Sequence, residues 1–206
     1  MTRRSLSVQT VVVGLAAALL LAVVMSAWVW GRPGSSRYSE TPERSVDGRE
    51  IWYDNPQAIA KSSDLVVRAR VTATSKGRTY SEGQGDEYTS RYVDLEILET
   101  FKGAEVFGSS IRMEEEGWDA EGVGYVVNGL QWSHVGEEGY YFLSPLDGGT
   151  YGQRGSFGRI LTTGEEVGPS GHEPDRAGPW KGLTSQLEDP AEIRVVILDA
   201  IDKSSE

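Results

Sequence analysis

Twenty consecutive residues without a charge, positions 11–30 (VVVGLAAALLLAVVMSAWVW), constrain this chain more than any other feature. As a helix rising about 1.5 Å per residue the run reaches roughly 30 Å, one hydrocarbon core, so it predicts a transmembrane helix. Arg3 and Arg4 precede it, and positive charge ahead of the first apolar segment holds the N-terminus in the cytoplasm. The expected protein is therefore single-pass in the plasma membrane, with residues 1–10 inside and the C-terminal domain outside the cytoplasm. Trp28 and Trp30 favour a retained signal-anchor, because indoles settle at the boundary between membrane and water. The alternative is secretion after cleavage: a cut after Ser26 places Val24 three positions back, which is tolerable, whereas a cut after Ala27 places Met25 there, which is poor. Residues 2–6 (TRRSL) are also similar to a twin-arginine export signal, but Ser7 interrupts the apolar pair that signal prefers.

Export shapes the reading of charge. The chain carries 20 Lys+Arg against 31 Asp+Glu, net -11. The first 30 residues hold two Arg and no acid, which leaves 18 against 31, or -13, on the exported part. Phosphate binding requires clustered cations, so nucleic acid is excluded as a partner, and the acidity reads as solubility outside the cell. With no cysteine there is no disulfide framework, thiol nucleophile or cysteine–zinc site, and two histidines leave little for imidazole chemistry.

Residues 31–48 are polar and rich in breakers and read as a flexible tether. A β domain is expected over 49–165, an irregular loop over 166–188 and a C-terminal helix over 189–206. Asn55-Pro56 supplies an N-cap and a first-turn proline for a short helix ending near Ser62. Residues 64–73 (DLVVRARVTA) alternate with Leu65, Val67, Ala69 and Val71 on one face, and residues 90–101 place Val93, Leu95 and Ile97 inward. These two strands should pair as a hairpin across a glycine-rich loop at 76–86. Ile111 and Met113 mark a strand over 109–115, followed by an acidic loop at 116–124. Short strands are expected at 125–127, 139–143 (GYYFL) and 157–162. Asp189-Pro190-Ala191-Glu192 then opens an amphipathic helix whose Ile193, Val196, Ile197, Ala200 and Ile201 should pack on the sheet. The fold expected is mainly β: a small barrel of five to six strands, flanked by a short N-terminal helix and the C-terminal helix, and preceded by one transmembrane helix.

The ordered set of residues 63–71 (SDLVVRARV), 93–103 (VDLEILETFKG), 136–143 (GEEGYYFL) and Tyr151 resembles an uncharacterised family of exported, membrane-anchored bacterial β domains with small OB-fold or netrin-like barrels. The resemblance covers about residues 56–161. It implies a five-stranded barrel of the oligonucleotide/oligosaccharide-binding type, and it carries over no catalytic residue. Ala69-Arg70 stands where that family often has glycine, and residues 113–136 are more acidic than its pattern.

Several constellations invite chemistry. Ser170, within 168–172 (GPSGH), lacks the second glycine and the preceding strand of a nucleophile elbow, and only His134 or His172 could serve it as base. Glu114, Glu115, Glu116, Asp119 and Glu121 form the densest acidic cluster. They read as a solvated loop, since their spacing is not that of an EF-hand and strand neighbours face opposite ways. The alternative reading makes residues 114–121 the working part of a cell-envelope hydrolase or a calcium-dependent module. Trp118 and Trp132 flank that segment in expected loops; if any tryptophans form a candidate binding surface for an envelope protein or glycan, it is these two, with packing as the default. The functional expectation is a membrane-tethered extracytoplasmic binding or interaction module of unknown ligand, without catalytic residues, cofactor or metal.

Overall fold

In the computed structural model the chain divides into two units, Met1–Arg37 and Tyr38–Glu206. The structure describes residues 37–48, 53, 55–81, 83, 87–103, 110–162, 168–169 and 190–204. The expected membrane segment at 11–30 and the candidate residues Ser170 and His172 lie outside the described residues. No helix among the described residues is long and apolar enough to cross a membrane.

The second unit is mainly β. It opens with β1 (Arg44–Val46) and α1 (Pro56–Ser62), where the Asn55 side chain accepts from the Ala58 amide at 2.8 Å and Pro56 sits in the first turn. β2 (Leu65–Ser81) and β3 (Glu87–Lys102) then run antiparallel, with Val71 opposite Leu95. Leu65, Val67, Ala69, Val71, Val93 and Leu95 are buried in one cluster against which Ile97 packs, as their alternation requires. After them come β4 (Ser110–Asp119), β5 (Tyr125–Val127), β6 (Glu138–Pro145), β7 (Tyr151–Gln153), β8 (Arg159–Leu161), the two-residue β9 (Gly168–Pro169) and α2 (Pro190–Ser204).

The main sheet has the order β2-β3-β4-β7-β6-β8-β9, and β2 also pairs with β6. Six substantial strands and β9 form it, while β1 lies parallel to β5 in a separate two-stranded ribbon. The continuous closed barrel of the sequence reading is therefore corrected to a curled sheet. Its β4–β7 seam spans only two residue pairs, Met113↔Tyr151 and Glu114↔Gly152, and β8 and β9 carry the sheet on past β6.

The curled sheet has two apolar faces with different covers. Its inner face holds the aliphatic cluster just described together with Ile111, Met113, Tyr141 and Leu143. On the outer face, Val66, Tyr140, Phe142 and Ile160 meet Ile59 and Ala60 of α1 and Ile193, Ile197 and Ala200 of α2. α2 thus packs on the sheet as its stripe predicts, and Arg194 fixes it further by pairing with Glu99 of β3 at 2.5 Å.

Three other expectations change. The presumed loop at 76–86 is strand as far as Ser81 and again from Glu87, so β2 and β3 extend into a long arm. The tether gives way to β1, held by backbone pairing to Tyr125–Val127 that no side-chain pattern announces. The acidic segment is not a loop until Asp119: β3 continues to pair with β4 through Glu114, Glu115 and Trp118.

Candidate functional site

Three successive cross-strand pairs between β3 and β4 share the inner face: Leu95 with Ile111, Val93 with Met113 and Arg91 with Glu115. The pleat is unbroken across them while the chemistry switches from aliphatic to ionic. Arg91 is hydrogen-bonded to Glu115, and the Arg159 guanidinium stands 3.6 Å from the same carboxylate with only 1% of its side chain exposed. The Glu115 oxygens also accept from the Ser133 amide and from its hydroxyl at 2.8 Å, and Arg159 donates to the Gln131 carbonyl at 2.6 Å. Tyr141, opposite Arg159 on β6, is wholly buried; its hydroxyl finds no partner among the described residues, and burial pushes its pKa up. Two largely buried cations around one carboxylate form a structural lock.

A β-bulge brings the tryptophans to this layer. Arg91 opposes Glu115 and Thr89 opposes Trp118, so Ser90 alone faces Glu116 and Gly117. The extra residue turns Trp118 to the side of Arg91. A side chain at Gly117 would place its Cβ 2.3 Å from the Thr89 carbonyl oxygen, which fixes glycine at the bulge. Trp118 meets Trp132 edge to face with centroids 5.3 Å apart, Tyr38 packs on Trp118 at the same distance, and the Arg91 guanidinium lies 4.5 Å over Trp132. Both indole N–H groups are used internally, Trp118 donating to the Ser39 carbonyl and Trp132 to that of Tyr125. The candidate binding pair Trp118 and Trp132 does come together, but as a buried minor core, 9% and 3% exposed, and Trp118 lies on β4 and not in a loop. Neither ring offers a face to a ligand.

The opposite face of β4 carries a cavity of about 440 Å³, lined by Arg78, Tyr80, Tyr88, Ser90, Glu116 and Asp147 among others, with Glu114 in its wall. Glu114 opposes Tyr92 and is 8% exposed. One carboxylate oxygen accepts from Tyr80 and Ser90 at 2.6 Å each, the other from Arg78 at 2.8 Å and Thr150 at 3.1 Å. Burial alone would raise its pKa, but the donors from Arg78, Ser90, Tyr80 and Thr150 together hold it below the ordinary carboxylate value. Burial and the bond to Glu114 push the Tyr80 hydroxyl up to about 12. A carboxylate with four donors and a depressed pKa makes a poor general acid. It ties β2, β3, β4 and the turn after β6 into one wall.

On that wall the rings of Tyr80 and Tyr88 stack with centroids 4.8 Å apart and planes 14° off parallel. Arg78 also donates to the Asp147 carbonyl at 2.6 Å, holding the turn that places exposed Leu146 and Asp147 at the rim. Glu116 accepts from the Tyr125 hydroxyl at 2.9 Å and is otherwise exposed.

The carboxylates of 114–121 do not converge. Glu114 belongs to the Arg78 cluster, Glu115 to the inner lock and Glu116 to Tyr125. Asp119 accepts from the amides of Glu121 and Val123 and pairs with Arg44 at 2.7 Å, and Glu121 stands exposed. Among the described residues no three potential ligands gather as a metal site. His134 is exposed and bound to Glu137 at 3.0 Å. The tyrosines of the groove were missed by sequence reasoning because the glycine-rich stretch around them reads as a loop. The alternation of Arg78 with Tyr80 and of Tyr88 with Ser90 is the signal that could have found them.

No protein-family model matches this chain, and a search of curated proteins finds no match.

Proposed function

We propose that this chain is a non-catalytic binding module, tethered outside the cytoplasm by the segment at 11–30, whose ligand occupies the groove beside Tyr80 and Tyr88. The observation that carries the reading is the construction of that groove: a cavity of about 440 Å³ with stacked aromatic rings and the exposed carboxylates of Glu116 and Asp147 at its rim, in whose wall the buried Glu114 is saturated by four donors. Concave sites with a few placed polar groups are where proteins take ligands. The net charge of -13 on the exported part speaks against nucleic acid.

The sheet supports the same reading. The curled sheet, in which β2 also pairs with β6 and the β4–β7 seam spans two residue pairs, is compatible with a partly open arrangement of the oligonucleotide/oligosaccharide-binding kind that the resemblance implies. The experiment is in-cell photo-crosslinking of the full chain with benzoylphenylalanine at Leu146 on the groove rim and, as control, at exposed Val195 on α2. Added protease should reach the domain in cells with an intact membrane, and adducts should form from position 146 and not from 195. Equal labelling at both, or a protected domain, would overturn the proposal.

A further inference from the structure

We infer that the ligand of this groove is an extended polypeptide carrying lysine or arginine side chains. The inference rests on the proposal that the groove is the binding site, and it adds the chemistry of the occupant.

Charge is the first ground. Of the charged side chains lining the cavity, Arg78 is paired with Glu114 and Glu115 with Arg91 and Arg159. Glu116 and Asp147 remain, both exposed carboxylates without a cationic partner among the described residues. The hydroxyls of Tyr80 and Ser90 are already donated to Glu114. The groove therefore presents negative acceptors and aromatic rings to whatever enters it. An ammonium or guanidinium pairs with the carboxylates, in a groove whose Tyr80 ring already takes the Arg78 guanidinium 5.6 Å from its centroid. The acidity of the whole domain steers the same cation inward.

Backbone geometry is the second. On the side away from β3, β4 pairs with β7 at Met113 and Glu114 and bridges to Gly124 at Trp118. Between them, Glu115, Glu116 and Gly117 have no strand partner on that side among the described residues, and of the three Glu116 stands exposed at the groove. An unpaired strand edge beside a cavity suits an extended chain, whose main chain adds to the edge while alternate side chains enter the pocket. A free polyamine would use the carboxylates but not the edge.

The test uses the full chain in neutral detergent and fluorescence anisotropy with a labelled Lys-Val-Lys-Val-Lys-Val peptide. A Glu-Val peptide of the same length, spermidine and a neutral hexasaccharide serve as competitors. The basic peptide should bind, the Glu-Val peptide and the hexasaccharide should not compete, and spermidine should compete only at far higher concentration. The Glu116→Gln/Asp147→Asn variant, surface changes that leave the fold intact by circular dichroism, should weaken the peptide by about fivefold or more at low salt. Tyr88→Ala should weaken it as well. Peptide affinity unchanged in Glu116→Gln/Asp147→Asn overturns the inference, as does spermidine competing as well as the peptide. Binding of the hexasaccharide that Tyr88→Ala abolishes, without peptide binding, keeps the groove as the site and replaces its occupant by a glycan. Binding of any probe that is indifferent to Tyr88→Ala and to Glu116→Gln/Asp147→Asn, or no binding of any probe, removes the groove itself as the peptide site.

Discussion

Glu114 and Glu115 are consecutive on β4, both pair with arginine and both are largely hidden, yet the surroundings of the two carboxylates differ in kind. Glu115 points to the inner face, between Arg91 and Arg159, in a layer closed by Trp132 and Trp118. Glu114 points outward to Arg78, whose side chain is 34% exposed, and to three hydroxyls at the floor of a cavity. The inner layer is a part of the core that happens to be ionic, and the outer one is a scaffold for a surface that remains open. Acidic residues adjacent in sequence therefore need not form one site: the pleat separates them, and each face decides what its carboxylate does.

Substitutions on the two faces should differ in size and in what they leave behind. Glu115→Ala strands two buried guanidiniums and should cost about 3 to 5 kcal/mol in urea denaturation. A loss below about 1 kcal/mol would mean that the inner layer is wetter than described. Leu95→Ala, two pairs further along the same face and 0% exposed, should cost about 2 to 5 kcal/mol. A Glu115→Ala/Leu95→Ala double variant whose loss departs from the sum of the two would show that the ionic and aliphatic layers are coupled.

Glu114→Ala should cost less, about 1.5 to 3 kcal/mol, because the partly exposed Arg78 can turn to water. Its pH dependence has a definite sign. The Glu114 carboxyl has a depressed pKa in the folded state, so its stabilisation is fully present above the ordinary value of 4.5 and is lost as pH falls from there through the depressed one. The stability gap between the natural protein and Glu114→Gln should narrow over that range; a gap that widens on acidification would reverse the assignment. Asp94→Ala removes only the exposed pair with Arg112 on the outer surface and should change stability by less than about 1 kcal/mol.

The same contrast explains what could be read from the sequence. Where one face is aliphatic, as along Leu65, Val67 and Val71 or Val93 and Leu95, alternation alone gave strand, partner and face. The two helices were equally legible, one from Asn55-Pro56 and the other from the apolar stripe at Ile193, Ile197 and Ala200. Legibility ended where the inner face turned ionic. Arg91 and Glu115 occupy core positions, but their charge argued for solvent, so β4 looked finished at Glu115. The bulge at Glu116–Gly117 then shifted the period by one residue, and Trp118, out of phase with Ile111 and Met113, read as a loop tryptophan. β1 was invisible for another reason: its stability lies in main-chain pairing to β5, which leaves no mark in side-chain pattern. The groove needed Arg78, Tyr80, Tyr88, Ser90 and Glu114 to be placed on three strands at once, which no single segment reports.

The central proposal is that Glu114 is an ionised structural carboxylate in the wall of the proposed binding groove and not the acid of a hydrolase. A carboxyl-resolved NMR titration of Glu114 in the full chain, assigned with Glu114→Gln, tests it most directly. The account predicts a titration below the ordinary value of 4.5, moving up toward that value when Tyr80→Phe removes one of the four donors. A Glu114 carboxyl that titrates above 4.5 in the folded protein, as a proton donor near neutral pH would, contradicts it.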